Sequence, residues 1–241
     1  MQQPTLFLPG LMCDQRLWQP TWQHLSADIE STNLQFALKP SIEEMAKDVD
    51  SHMPSHPVNL VGFSMGGYIA LHYALHYALN KTTNNAQQVK SLTIIAASSA
   101  GLTQTEKKQR AQTLNHVKNS HYNGIAKQRI AQFVHPDHIN DPVVDIIRQM
   151  DKSLGKETLI AQLQANTYRP SLTERLNELN IPVLIVGAAE DQLVSQQAIH
   201  AMHRGIKQSQ LTIIEHCGHM IPLEAPQTLA RTINEFLTTI Y

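Results

Sequence analysis

Short β-type runs alternate along this chain with longer segments of helical periodicity. Two of these runs, Val58–Phe63 and 91–96, are almost continuously apolar, as expected for strands buried on both faces. Such alternation is typical of a parallel sheet covered by helices on both sides. Strands are predicted at residues 5–8, 34–38, 58–63, 91–96, 182–187 and 210–214. The sequence therefore predicts an α/β protein with a doubly wound, mostly or entirely parallel sheet of about six strands.

The strand pattern is interrupted between residues 101 and 170, where helical segments follow one another. Within this stretch, Asp141 followed by Pro142 is typical of a helix start, and Gly155 is typical of a helix end. A chain of 241 residues is of a size that favours one core with an insertion over two independent domains. We therefore expect an α/β core formed by residues 1–100 and 171–241, with a helical cap, or lid, at 101–170.

The charge balance bears on the kind of partner. Lys and Arg number 19 against 20 Asp and Glu, which gives a formal net charge of -1. This balance provides no electrostatic attraction to nucleic acid or to an anionic membrane. The apolar stretches are too short to cross a bilayer, and the start has no basic segment typical of a signal peptide. We expect a small-molecule substrate as the partner, no binding to nucleic acid or membrane, and a cytoplasmic location.

Neither the cysteines nor the histidines indicate a metal site. Cys13 and Cys217 are not arranged in a CxxC motif, so both are interpreted as ordinary reduced thiols. Two histidine pairs have spacings that share a helix face, His72/His76 and His135/His138. His72 and His76 lie beside an apolar helical stripe, which favours a packing role over metal binding. No metal is predicted.

The most specific chemical motif is Gly62-Phe-Ser64-Met-Gly66-Gly, which lies between a buried strand and a helical segment. This is the context that a nucleophile elbow requires. The turn is so tight that its serine takes a strained conformation, which is tolerated only where flanking side chains are absent. Ser64 is the candidate nucleophile, and the Met65 backbone N–H at the helix start is a candidate oxyanion donor. The alternative is that Ser64 only closes a tight turn.

A serine nucleophile needs a general base and a group that orients the base. Asp191 lies just past the predicted strand at 182–187, and His219 lies just past the next strand. Because the carboxyl ends of parallel strands share one edge of the sheet, both should converge on Ser64. The order Ser, Asp, His is also the order associated with this motif. The sequence therefore predicts His219 as the base and Asp191 as the acid that orients it.

Two neighbouring residues are alternatives for these roles. Glu190 is adjacent to Asp191, and His216 is within a few residues of His219. Gly218 gives the loop freedom to direct the ring that follows it, which favours His219 over His216.

The turn after the first predicted strand provides a second candidate oxyanion donor. Pro9 and Gly10 form this turn, so the Leu11 backbone N–H is the expected donor. The alternative is an ordinary connection from strand to helix. Cys13 in this loop and Cys217 in the histidine loop flank the expected site, and both are interpreted as packing residues.

Together these motifs resemble those of the α/β-hydrolase superfamily, in particular its serine esterase-like members with a helical cap. The resemblance covers essentially the whole chain. The matching segments are 8–18, 62–67, 182–187 with Asp191, and Gly218-His219 followed by 224–226. The resemblance implies a doubly wound sheet, a cap over the site, and hydrolysis of an ester or related acyl bond without a cofactor.

Two departures from the family pattern bear on this expectation. Most relatives begin with an antiparallel strand pair, whereas the first strand here starts near Thr5, so we expect an all-parallel sheet. Many relatives also carry His-Gly where this chain has Pro9-Gly10. Because the expected donor is a backbone N–H, the oxyanion hole should survive this change.

The resemblance and the motifs predict a serine hydrolase that cleaves a small or medium carboxylic ester, or a related acyl bond, through an acyl-enzyme. One alternative keeps the same three residues but acts as a C–C bond hydrolase, a thioesterase or a lyase on a small metabolite. A second alternative is a small-molecule receptor on a hydrolase fold. Multiple turnover would distinguish an enzyme from a receptor.

Overall fold

The computed structural model describes residues 2–78 and 89–240 of the chain. Six strands in the described residues form one sheet with the order β2-β1-β3-β4-β5-β6, and all neighbouring strands pair in parallel. The strands are β1 (Gln3–Leu8), β2 (Ile29–Asn33), β3 (Val58–Phe63), β4 (Val89–Ile95), β5 (Val183–Ala188) and β6 (Ser209–Ile214). The predicted parallel, doubly wound sheet is confirmed.

Helices connect the strands. The core helices are α1 (Gln19–Trp22), α2 (Ile42–His52), α3 (Met65–Tyr73), α7 (Gln196–Gly205), α8 (Ile221–Glu224) and α9 (Pro226–Ile240). Between β4 and β5 the chain forms α4 (Gln104–Asn119), α5 (Lys127–Ile130), a 3₁₀ turn (Pro136–His138) and α6 (Pro142–Thr167). Among the described helices, none combines the length and the apolar character that a membrane span requires.

The second strand lies earlier in the chain than predicted. The apolar pattern predicts a strand at 34–38, and this prediction is wrong because β2 is Ile29–Asn33. β2 lies at the edge of the sheet, and its sequence is mostly polar after Ile29. The buried residues Leu34 and Phe36 belong to the segment that follows it. The apolar pattern of this buried loop is therefore similar to that of a strand.

Side chains of the central strands alternate between two apolar layers, as the pleat of a β-strand requires. Leu6, Leu8 and Leu60 lie in one layer, together with side chains of α2, α3 and α7. Phe7 and Val61 lie in the other layer, together with side chains of α9. The sheet is therefore covered on both faces, which explains why its central strands are continuously apolar.

The long helix α6 is divided at Gly155. This residue has φ 76° and ψ 179°, a conformation that is essentially restricted to glycine. The helix begins at Pro142, after Asp141 at its N-cap. The predicted helix start and the predicted break at Gly155 are both present.

Candidate active site

Ser64 occupies the turn between β3 and α3. Its backbone has φ 51° and ψ -112°, a strained conformation for a residue with a side chain. A Cβ atom on Gly62 would overlap the carbonyl oxygen of Gly66, and one on Gly66 would overlap the carbonyl oxygen of Leu8. The turn therefore requires glycine on both sides of Ser64, as expected from the motif.

The strand order explains why the loop after β1 lies beside Ser64. β1 and β3 are neighbours in the sheet, and Leu8 pairs with Gly62. The chain continues from β1 to one edge of the sheet and from β3 towards the other edge. Open α/β sheets bind ligands at such a switch point, in the crevice beyond the carboxyl ends of the strands. Ser64 is at this point.

The structure brings Ser64, His219 and Asp191 together. Ser64 Oγ lies 3.0 Å from His219 Nε2, and His219 Nδ1 lies 2.8 Å from Asp191 Oδ2. When Nδ1–H donates to Asp191, Nε2 is left to accept the hydroxyl proton of Ser64. The side chains of His219 and Asp191 are only 5% and 2% exposed, so water screens their interaction weakly.

The Asp191 carboxylate is oriented by its own loop. Its Oδ1 atom accepts hydrogen bonds from the backbone N–H groups of Leu193 (2.7 Å) and Val194 (3.0 Å). Because these two bonds hold Oδ1, the second oxygen points to the His219 ring. The carboxylate therefore reaches His219 without a further change of conformation.

The two alternative residues lie elsewhere. Glu190 Oε2 accepts the backbone N–H of Cys217 at 3.0 Å, which connects the loop after β5 to the loop after β6. His216 is exposed, and its ring lies 6.1 Å from the ring of His135. The structure thus brings Asp191 and His219, rather than Glu190 and His216, to Ser64.

A buried carboxylate, Glu224, holds the His219 loop, a role that was not predicted from the sequence. The Glu224 side chain is 0% exposed. Its Oε2 accepts the N–H groups of His135 (2.6 Å) and Gly218 (3.2 Å), and its Oε1 accepts that of Met220 (2.9 Å). These bonds hold both sides of His219 and attach the segment after α5. The sequence feature that pointed to Glu224 was its position in segment 224–226, which matches the α/β-hydrolase pattern.

The two predicted oxyanion donors lie in segments next to Ser64. Met65 is the first residue of α3, so its N–H lies at the positive end of the helix dipole. Leu11 lies in the loop after β1, where the next N–H, of Met12, donates to Gln162 Oε1 at 2.8 Å. Gln162 is fully buried in α6 and is a second residue whose role was not predicted from the sequence. It connects α6 to the loop after β1.

Aromatic side chains pack against His219. The Phe63 ring, at the end of β3, lies 5.1 Å from the His219 ring, and the Phe133 ring lies 6.3 Å from it. Phe133 belongs to the segment between β4 and β5, and its carbonyl accepts the Met220 N–H at 3.1 Å. This segment therefore contributes directly to the surroundings of His219.

The two cysteines are buried thiols. Burial is the main cause that raises the pKa of both Cys13 and Cys217 well above the ordinary value of a thiol. Both groups are therefore protonated at neutral pH, and a protonated thiol is a weak nucleophile. This agrees with their interpretation as packing residues.

Comparison with curated proteins and protein families identifies relatives. Residues 38–226, a segment that includes Ser64, Asp191 and His219, match the family described as serine aminopeptidase, S33. The chain is 24% identical to monoacylglycerol lipase ABHD6 of Rattus norvegicus over 77% of its own length. The match spans 56% of that lipase, about half of its length.

A second relative matches along nearly the whole chain. It is the putative 2-succinyl-6-hydroxy-2,4-cyclohexadiene-1-carboxylate synthase of Bacillus subtilis (strain 168), at 21% identity. The match covers 99% of this chain and 87% of the relative.

A solved structure has the same fold. The esterase of Thermogutta terrifontis superposes with a TM-score of 0.86 at 24% identity, and the match covers 100% of this chain and 91% of the esterase. The family match includes most of the chain, and the sheet agrees with it. The chain therefore belongs to the serine aminopeptidase S33 family and has the α/β-hydrolase fold.

Proposed function

We propose that this protein is a serine hydrolase that cleaves small or medium carboxylic esters through a covalent acyl-enzyme. The observation that carries the proposal is the hydrogen-bonded series Ser64–His219–Asp191 at the strained turn after β3. The relative named as a monoacylglycerol lipase supports the ester as the bond that is cleaved.

The first half of the reaction acylates Ser64. His219 Nε2 takes the hydroxyl proton as Ser64 Oγ attacks the carbonyl carbon of the ester. The negative charge that forms on the carbonyl oxygen is stabilised by the N–H groups of Leu11 and Met65. His219 then gives its proton to the departing alkoxide, which leaves as the alcohol. Asp191 stabilises the imidazolium while it exists.

The second half of the reaction releases the acid. A water molecule gives a proton to His219 Nε2 and attacks the acyl carbonyl carbon. The same two backbone N–H groups stabilise the second oxyanion. His219 returns the proton to Ser64 Oγ as the ester bond to the serine breaks. The free enzyme and a carboxylic acid result.

The helices between β4 and β5 act as a cap that selects the substrate. Loops and lids over a rigid scaffold commonly carry specificity. Phe133 from this region packs against His219, and Gln162 holds the loop after β1, which carries Leu11. A change in the position of the cap therefore affects both the surroundings of His219 and this loop.

A second candidate function uses the same three residues on another bond. The relative from Bacillus subtilis that matches 99% of this chain is named as a synthase of a cyclohexadiene carboxylate. A lyase with these three residues would begin with proton removal by His219, and its leaving group would depart by elimination. Product identification separates the two functions, since ester hydrolysis yields an acid and an alcohol.

The test is release of p-nitrophenol from acetyl, butyryl and octanoyl esters by wild type and by Ser64→Ala, followed from the pre-steady-state phase onward. We expect many turnovers in wild type and a loss in kcat/KM of roughly 10⁴-fold or more in the variant. Ser153→Ala, which changes an exposed serine of α6, is the matched control and should retain wild-type activity. Sustained turnover by Ser64→Ala would eliminate the proposal, and a single acylation by wild type would favour a receptor.

A further inference from the structure

We propose that His135, Glu190 and His216 form a binding site for a divalent metal ion of the Zn²⁺ type, which fastens the cap to the loops that carry Asp191 and His219. Within the described part of the chain, one potential ligand atom from each residue lies within 4.8 Å of the other two. Two imidazoles and a carboxylate form a ligand set that suits Zn²⁺. This site is separate from Ser64, and the proposal does not rest on the proposed function.

The spacing of the ligand atoms is close to that of a metal site. Zinc bonds to imidazole nitrogen and carboxylate oxygen are about 2.0–2.2 Å long, so ligand atoms in a tetrahedral site are about 3.4 Å apart. The atoms of this cluster, within 4.8 Å of one another, need to approach only modestly. His216 is exposed, so its ring can rotate without displacing the core. A water molecule can complete the coordination.

Hydrogen bonds already join the three segments that carry the ligands. Glu190 exchanges two bonds with Cys217: its N–H donates to the Cys217 carbonyl (3.2 Å), and its Oε2 accepts the Cys217 N–H (3.0 Å). These bonds hold Glu190 beside His216, which precedes Cys217 in the sequence. The His135 N–H donates to the buried carboxylate of Glu224 (2.6 Å), which also holds the His219 loop. The cluster is therefore built on a fixed backbone.

A carboxylate lies where an outer partner of a metal-bound histidine is expected. A ligating imidazole usually donates its second N–H to a carboxylate or a carbonyl. Asp137 Oδ2 lies 3.6 Å from His135 Nδ1. When Nε2 of His135 binds the metal, Nδ1 carries the proton and faces this oxygen. Nδ1 then loses the hydrogen bond that it now accepts from the Asp137 N–H at 3.2 Å, and it donates to the Asp137 carboxylate instead.

The position of the cluster determines what the metal would do. Glu190 directly precedes Asp191, and His216 lies on the loop that leads to His219. His135 lies on the cap side, two residues after Phe133, whose ring packs against His219. A bound ion would therefore restrain the cap relative to both loops, in a structural role outside the reacting groups.

The experiment measures binding of Zn²⁺ to the full chain, prepared without a polyhistidine tag and treated with a chelator, by isothermal titration calorimetry. The ligand variants are His135→Gln, Glu190→Gln and His216→Asn. Gln at position 190 keeps an oxygen for the Cys217 N–H. Asn tolerates the left-handed backbone of His216, which has φ 51°. His200→Asn removes an exposed histidine of α7 and is the control.

We expect wild type and the His200→Asn control to bind one Zn²⁺ per chain, and each ligand variant to bind it at least about tenfold more weakly. Zn²⁺ should raise the melting temperature of wild type and of the control, and should do so much less in the ligand variants. Mg²⁺, which prefers oxygen ligands, should give no such shift. Absence of saturable Zn²⁺ binding to wild type, or binding in the three ligand variants that is as tight as in wild type, overturns the proposal.

Hydrogen exchange tests the fastening of the cap. On addition of Zn²⁺ to wild type, the backbone amides of 133–138 and 216–220 should exchange more slowly, because the ion opposes local opening. Binding of Zn²⁺ without slower exchange in these segments contradicts the role of the ion in holding the cap.

Discussion

Glu224 lies between the segment after α5 and the His219 loop, and its carboxylate accepts hydrogen bonds from three backbone N–H groups. Hydrogen bonds to a charged group contribute about 1.5–3 kcal/mol each, more than neutral ones. His138 Nδ1 also contacts this carboxylate, at 2.9 Å. At the scale of the residue, the position of His219 therefore depends on a side chain outside the series Ser64–His219–Asp191.

Replacing Glu224 by Gln tests this dependence. Gln keeps one acceptor oxygen and places an NH₂ donor where the second oxygen was, so at least one backbone N–H loses its acceptor. We expect the free energy of unfolding to fall by about 1–3 kcal/mol and kcat to fall with it, since the loop that holds His219 is displaced. Urea unfolding and ester turnover measure these effects. Glu157→Gln, on an exposed position of α6, is the control, and equal stability of the two variants would contradict the prediction.

At the scale of the element, the break in α6 lets one helix pack into both apolar layers. Before the break, Val144, Ile147 and Met150 pack in the layer that contains Phe7 and Val61. After the break, Ala165 packs in the opposite layer. A straight helix has one continuous apolar stripe, so a change of direction is needed to reach both layers.

Gly155→Ala tests the break. A Cβ atom at this position meets no atom within 4 Å, so any cost comes from the backbone and not from a clash. Because φ 76° with ψ 179° is unfavourable for alanine, we expect the free energy of unfolding to fall by about 1–3 kcal/mol. Lys152→Ala, at an exposed position of the same helix, should change it by no more than about 0.5 kcal/mol. Urea unfolding measures both, and an unchanged or higher stability in Gly155→Ala would show that the break is dispensable.

At the scale of the whole molecule, the layer formed by α2, α3 and α7 buries a histidine. His72 in α3 is 4% exposed. Burial, with a smaller contribution from His76, lowers its pKa from 6.5 to about 4. The folded protein therefore keeps this ring neutral at a pH at which the unfolded chain binds a proton. Folding is linked to pH through this group.

The consequence is a loss of stability in mild acid. As the pH falls from 6.5 towards 4, the unfolded chain takes up a proton at His72 before the folded protein does, which favours unfolding. We expect this residue to reduce the free energy of unfolding by about 2 kcal/mol between pH 7 and pH 5. Urea unfolding of wild type and His72→Gln at both values measures the difference. The exposed-site control His200→Gln should behave as wild type, and an unchanged pH dependence in His72→Gln would refute the linkage.

Local sequence patterns are sufficient to predict the parallel α/β architecture and the turn at Ser64. Both follow from local patterns: an apolar run marks a strand buried on both faces, and the glycines beside Ser64 are required by the turn itself. The prediction of a strand at 34–38 was wrong because a buried loop can have the same local apolar pattern as a strand.

Tertiary packing determines whether Glu190 or Asp191 contacts His219. Glu190 and Asp191 are adjacent in sequence, yet one contacts Cys217 and the other contacts His219. The directions of side chains in a loop depend on what packs against them, and composition does not record this. The contacts of Gln162 with Met12, and of Glu224 with His135, join residues that are distant in the chain. Such contacts exist only once the sheet and the helices around it have assembled.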